Sequence, residues 1–173
     1  MARVTMRTGE RRAYGGLDSF RLIAAFLVIA IHTSPLLSVS AEADFFLTRV
    51  LARIAVPFFF AVTGQFVLSG YIYGENRDFS RIWKYILKIL AVYAISIVIY
   101  LPVGLYAGNY SGIDAAVALR LLVFDGTFYH LWYFPALIEG ILIVCLLSRF
   151  MPVRICAVTA AFLYAIGLSL IHI

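Results

Sequence analysis

From Ile89 to Tyr106 the chain runs eighteen residues without one charged side chain. Runs of this kind recur along its 173 residues, and they dictate the solvent. An α-helix needs about 20 apolar residues to cross the hydrocarbon of a bilayer. In lipid, a backbone must satisfy its own N–H and C=O groups, which helices do. Only 13% of the residues are charged, against roughly a quarter in soluble domains. The fold class that follows is an all-α integral membrane protein.

Five spans are expected, near Leu17–Leu37, Phe45–Tyr71, Trp83–Tyr106, Leu131–Ser148 and Arg154–Ile173. Between the third and fourth, "AGNYSGIDAAVALRLLVFDGTFYH" mixes polar and apolar residues and suits a short interfacial helix around Asp114–Phe124. Residues 1–16 form a basic tail, and 17–173 the membrane domain. A signal-peptide reading of the start, with cleavage near Ala41–Ala43, conflicts with Asp18 and Arg21 early in the apolar core and with four further spans.

Lysine and arginine set the orientation, because they gather in cytoplasmic loops. Arg3, Arg7, Arg11 and Arg12 precede the first span. Arg77, Arg81, Lys84 and Lys88 lie at the second connection, and Arg149 and Arg154 at the fourth. The alternate connections carry only Arg49 and Arg120, so the count is ten against two. The N-terminus is therefore expected in the cytoplasm, in a multi-pass plasma-membrane protein. The net charge of +5 reflects these loops, facing anionic headgroups, rather than a nucleic-acid surface. Cys145 and Cys156 fall inside apolar segments without metal-ligand spacing, so no metal is expected. The topology leaves Ile173 at the outer surface straight after an apolar run, as expected for the front part of a longer chain.

Charged groups inside spans are costly and usually face a bundle or a wet cavity. In "LDSFRLIAAFLVIAIH", eleven residues separate Arg21 from His32. At 100° per residue that is about 20° off coincidence on the helix wheel, and Asp18 lies about 60° from Arg21. Ala25 and Ile29 fall on the same side, while Leu22, Phe26 and Leu27 make an apolar opposite face. Bland roles exist for each group. Asp18 suits the positive N-terminal end of a helix, Arg21 can snorkel to headgroups, and His32 can be a neutral bundle histidine. Arg49 and Arg53, one turn apart, enter the second span, where "RIAVPFFFAVTGQF" adds Pro57, which frees a carbonyl one turn back, and Gly64, which permits close helix contact. Arg53 is expected at a depth near that of His32, as an outer-leaflet snorkeller or as a cation that keeps the imidazole neutral. Glu139, in "YFPALIEGILIV", is an embedded acid that could pair with an arginine, carry a proton or be structural. His130, Trp132 and Tyr133 suit the aromatic belt at the interface.

These segments resemble the membrane acyltransferase-3 superfamily. "LDSFRLIAAFLVIAIH" is similar to its opening motif, an arginine eleven positions before a histidine. "RIAVPFFFAVTG" matches its second-helix signature at Arg53, Pro57 and Gly64, and "YHLWYFPALI" resembles a later aromatic segment. The wording "AVPFFF" and "YHLWYFPALI" is similar to the membrane domain of the serine/alanine racemases of vancomycin-resistant bacteria, in which a soluble pyridoxal-phosphate domain follows. The resemblance implies about twice the spans counted here, so this chain would be half of a larger helix bundle.

It also implies transfer of an acyl group, commonly acetyl from acetyl-CoA, to a hydroxyl of a cell-envelope acceptor. On that reading His32 is the general base and Arg53 stabilises the oxyanion or holds the acceptor. Arg21 binds donor phosphates, and Asp18 positions Arg21. No pyridoxal phosphate is expected in this segment. The second reading is a membrane domain that transports or presents L-serine to a downstream racemase domain. A third is a purely structural bundle.

Overall fold

A computed structural model of the protein describes residues 15–74 and 77–171. The basic tail expected at residues 1–16 falls almost wholly outside them, as does Ile173. Every regular element among the described residues is a helix, and four helices are long and apolar enough to cross a membrane. They are α1 (Gly15–Thr33), α2 (Ala41–Ile72), α3 (Phe79–Tyr106) and α5 (Tyr133–Phe150). Between α3 and α5 lies the short helix α4 (Ala115–Arg120), which widens into a π turn over Leu121–Asp125. The fifth expected span falls on α6 (Val153–Ile171). Its described apolar stretch, Val153–Phe162, is shorter than a span.

Helix boundaries follow local chemistry. α1 stops at Thr33, short of Leu37, because Ser34 turns to a positive φ of 44°. Ser40 then opens α2, its hydroxyl accepting from the Ala43 N–H at 3.2 Å, and Asp114 opens α4 through the Val117 N–H at 2.7 Å. Asp78 opens α3 by accepting from both the N–H and the hydroxyl of Ser80, each at 2.8 Å. Each side chain satisfies a donor that a helix start leaves unpaired.

The chain divides into two compact units, parting between Val62 and Thr63. In the first, α1 packs against the segments Phe46–Leu51 and Ala52–Ile54 of α2. Leu17, Phe20, Ala24, Leu27, Val28 and Ile31 are buried or half-buried along one arc, Ala30 is buried to one side of it, and Phe20 meets Phe58 edge-on at 4.6 Å. This arc corrects the expected wheel. Leu27 turns inward, Ala25 and Ile29 are exposed, and Arg21 stands at the arc's edge. His32 and Asp18 lie about 20° and 60° beyond it. Small Ala24, fully buried, lets the neighbouring backbone approach.

In the second unit, α3 buries Ile82, Ile86, Ile89 and Tyr93, and α5 buries Leu137, Ile141, Cys145 and Ser148. Both sets follow the three-and-four spacing of one helix face. α3 and α5 pack on each other, and the segments Gly64–Leu68 and Ser69–Ile72 of α2 pack against α5. Between helices in lipid, dispersion and close fit do the work that water expulsion does elsewhere. Tyr93 stacks on Phe134 at 5.5 Å, and its hydroxyl donates to the Leu122 carbonyl at 3.0 Å, fastening α4 to the pair. The loop into α5 closes at Gly126, whose φ is +78°. A Cβ there would stand 2.4 Å from the backbone nitrogen of Trp132. Gly64, by contrast, has open space where its side chain would be, so close contact at that position does not occur among the described residues.

Candidate functional site

α1 carries both Arg21 and His32 in one uninterrupted α-helix. The eleven-residue spacing therefore becomes a separation of about 16 Å along the axis. Asp18 and Arg21, one turn apart, form an ion pair, so the first helix holds its acid and guanidinium together at one end. Both groups are substantially exposed, and such pairs contribute little stability. His32 lies in the last turn and is exposed.

Arg53 belongs to a 3₁₀ turn, Ala52–Ile54, set between a π-helical segment and the regular helix Ala55–Thr63. Pro57 has no N–H for the carbonyl four residues back, which is that of Arg53 itself. The local change of winding therefore centres on the candidate residue, as such interruptions often do at working sites. The turn packs against α1, the helix of His32, and Arg53 is exposed. Thus the first unit brings together the elements bearing His32 and Arg53, and it pairs Asp18 with Arg21 directly.

Asp44 is a participant that sequence reasoning treated only as loop charge. It is buried, and its Oδ1 accepts from the Leu36 N–H at 3.0 Å, while the Thr48 hydroxyl donates to its carbonyl at 2.8 Å. This carboxylate fixes the connection that follows His32. The signal was faint: an acid four residues after a serine cap resembles any first-turn acid.

A second constellation, in the other unit, was read from sequence only as a topology marker. Arg77, Arg81, Gly70, Gly74, Tyr71 and Asp78 line a cavity of about 290 Å³ at the N-terminal end of α3. Arg77 Nη1 donates to the Ser148 carbonyl at 3.0 Å, in the last turn of α5, where a cation also complements the helix dipole. The guanidinium of Arg81 stands over Gly70, and among the described residues it forms no ion pair. Hydrogen bonds to Ser80, and to a lesser extent the charges of Arg81 and Lys84, hold the Asp78 carboxyl below its ordinary value. With Asp78 occupied in capping, the wall keeps a cationic balance suited to an anionic group.

Glu139, expected to pair with an arginine, carry a proton or be structural, pairs with none among the described residues. Its Oε1 is buried without a hydrogen-bond partner. His130 stands among rings, 4.4 Å from Tyr100, 5.2 Å from Phe128 and 5.0 Å from Tyr129. An ordinary aromatic belt does not require that cluster. Among the described residues no three His, Cys, Asp or Glu side chains group as metal ligands.

All-helical among its described residues, with four helices long and apolar enough to cross a membrane, the chain falls in the class of multi-pass membrane proteins. The acyltransferase-3 family model, described as an acyltransferase domain, matches residues 14–171, and the chain belongs to that family. Two relatives from Enterococcus faecalis, each named amino-acid racemase, are 41% identical over 159 residues and 40% identical over 161. Those matches cover 89% and 92% of this chain. A serine/alanine racemase from Enterococcus gallinarum is 38% identical over 157 residues, or 89% of the chain. The chain spans 22% of the length of each of these relatives. No solved structure matches it.

Proposed function

We propose that this chain is part of a plasma-membrane acyltransferase that moves an acyl group, acetyl in the simplest case, from a CoA thioester to a hydroxyl of a cell-envelope acceptor. The family match across residues 14–171 carries the reading, because it includes the whole helix that bears Arg21 and His32. His32 takes the proton of the acceptor hydroxyl as the oxygen attacks the thioester carbonyl. Arg53 balances the charge that develops on the carbonyl oxygen. The C–S bond then breaks, and the departing thiolate takes the proton from the imidazolium.

The excess of lysine and arginine in alternate connections supports a cytoplasmic N-terminus, with Asp18 and Arg21 on the donor side and His32 toward the acceptor. The same rule puts Arg77 and Arg81 on the donor side. Their cavity offers the phosphates of a CoA a better-matched partner than Arg21, whose charge Asp18 already offsets. The test uses membranes carrying the full-length protein, radiolabelled acetyl-CoA and the isolated envelope fraction. Transfer is expected with the wild type and lost in His32→Ala; undiminished transfer in that variant overturns the mechanism.

The names of the relatives favour one alternative, a domain that moves or presents L-serine to a racemase domain further along the chain. Uptake of labelled serine that is abolished in Arg21→Ala and indifferent to any acyl donor supports it. Absence of uptake by the full-length protein rules it out.

A further inference from the structure

Two contacts in the first unit fix how α1 and α2 are aligned along their length. Phe20 meets Phe58 edge-on, and the Leu36 N–H donates to Asp44 Oδ1, so the two helices run antiparallel past one another. Ala24 and Ala55, both fully buried, fall level in that alignment. Counting along the helices from the two contacts sets Arg49 level with residues 29–31 and Arg53 level with residues 25–27. Arg49 thus stands one to three residues short of His32, about 2–5 Å along the axis, whereas Arg53 stands five to seven short, about 8–11 Å. Sequence spacing pointed to Arg53 for that depth; the alignment puts Arg49 there.

Both groups also turn to one side of the pair. His32 lies about 80° round α1 from Ala24, at the centre of the packed arc. Arg49 lies about 80° round α2 from the line through buried Thr48 and Ala52, in the same sense along its own chain. In an antiparallel pair, equal turns in that sense emerge on the same side. Each Cα–Cβ bond tilts toward the N-terminus of its own helix, so His32 and Arg49 lean toward each other's depth. Both residues are exposed, and among the described residues Arg49 forms no ion pair. The nearest acid in sequence, Asp44, is buried and accepts from Leu36.

We propose that Arg49 is a second catalytic cation of the acyl-transfer site, donating its N–H groups to the carbonyl oxygen that becomes an oxyanion when the acceptor attacks. The inference rests on the acyl-transfer reading of His32. As His32 takes the hydroxyl proton, the new C–O bond forms and the carbonyl π pair moves onto the oxygen that Arg49 meets. That pair returns when the C–S bond breaks, and Arg49 keeps its protons throughout. Arg53, one turn deeper, approaches the same oxygen from the donor side. A guanidinium suits the task, since it stays charged and offers several N–H groups in a fixed fork.

The test uses membranes carrying the full-length protein, radiolabelled acetyl-CoA and the isolated envelope fraction. Arg49→Gln should lower kcat about 100-fold, as removal of one oxyanion donor does, with the KM for acetyl-CoA unchanged. Arg49→Lys keeps the charge without the fork and should recover part of that loss. A wild-type kcat in Arg49→Gln beside an inactive His32→Ala overturns the role of Arg49 and leaves the acyl-transfer reading standing. That is the result for an arginine that only snorkels to headgroups. Undiminished transfer by His32→Ala overturns both. Cross-linking tests the geometry apart from catalysis. With Cys145 and Cys156 replaced by alanine, a short bis-maleimide should join His32→Cys to Arg49→Cys more readily than to Arg53→Cys. The reverse order overturns the alignment, whatever the kinetics.

Discussion

Gly126 offers a demanding test of the second unit, because two separate costs fall on one added methyl group. At φ +78° and ψ 141° an alanine pays for an extended positive-φ backbone that glycine alone adopts readily, about 1–3 kcal/mol. Its Cβ would also stand 2.4 Å from Trp132 N and 2.6 Å from the Leu131 carbonyl carbon. Those are backbone atoms at the start of α5 and cannot swing aside, so overpacking adds about 1–3 kcal/mol. Gly126→Ala should therefore lose about 2–6 kcal/mol. Gly112 separates the two terms: its φ is +73°, but nothing lies within 4 Å of the position a Cβ would take. Gly112→Ala should cost only the backbone part. The assay is unfolding in mixed micelles of rising SDS fraction, followed by tryptophan fluorescence. The chain's two tryptophans, Trp83 and Trp132, both lie in this unit, and one adjoins the clash. Equal losses in the two variants would refute the close approach of Gly126 to residues 131–132.

Arg81→Ala should raise the KM for acyl-CoA with little change in SDS resistance. Arg77→Ala should also lose about 1 kcal/mol of stability, because its hydrogen bond to Ser148 is charge-assisted yet partly exposed. Equal stability of the two variants would contradict that division. Asp44→Ala should cost about 1–3 kcal/mol locally by leaving the Leu36 N–H without its acceptor. Faster amide exchange over residues 34–40, restored by Asp44→Asn, is the measurement. Asp78, whose folded carboxyl is held low by Ser80, should cap α3 fully above its unfolded value. That contribution is lost as the pH falls through the lowered folded value. Trp83 fluorescence should report this acid transition in the wild type and lack it in Asp78→Asn.

Much of the molecule could be read locally. Apolar runs long enough for lipid led to an expectation of five spans, and four helices among the described residues are long and apolar enough to cross, since backbone polarity leaves a chain few other ways to cross hydrocarbon. The Asp18–Arg21 pair and the register of Arg21 with His32 follow from helical spacing alone, and so does the change of winding at Arg53 that Pro57 imposes. What spacing could not fix was the rotation of each helix about its axis. On α1 the packed arc centres near Ala24, so the polar stripe borders it, because inter-helix contact follows small side chains and shape. Charge does not select the packed face. Arg77 meets Ser148 across 71 residues, and Glu139 shares one wall with residues from three elements. Sequence determined which residues are expensive to place in a membrane. Tertiary packing decided which of them found partners, because a partner many turns away leaves no period in the chain.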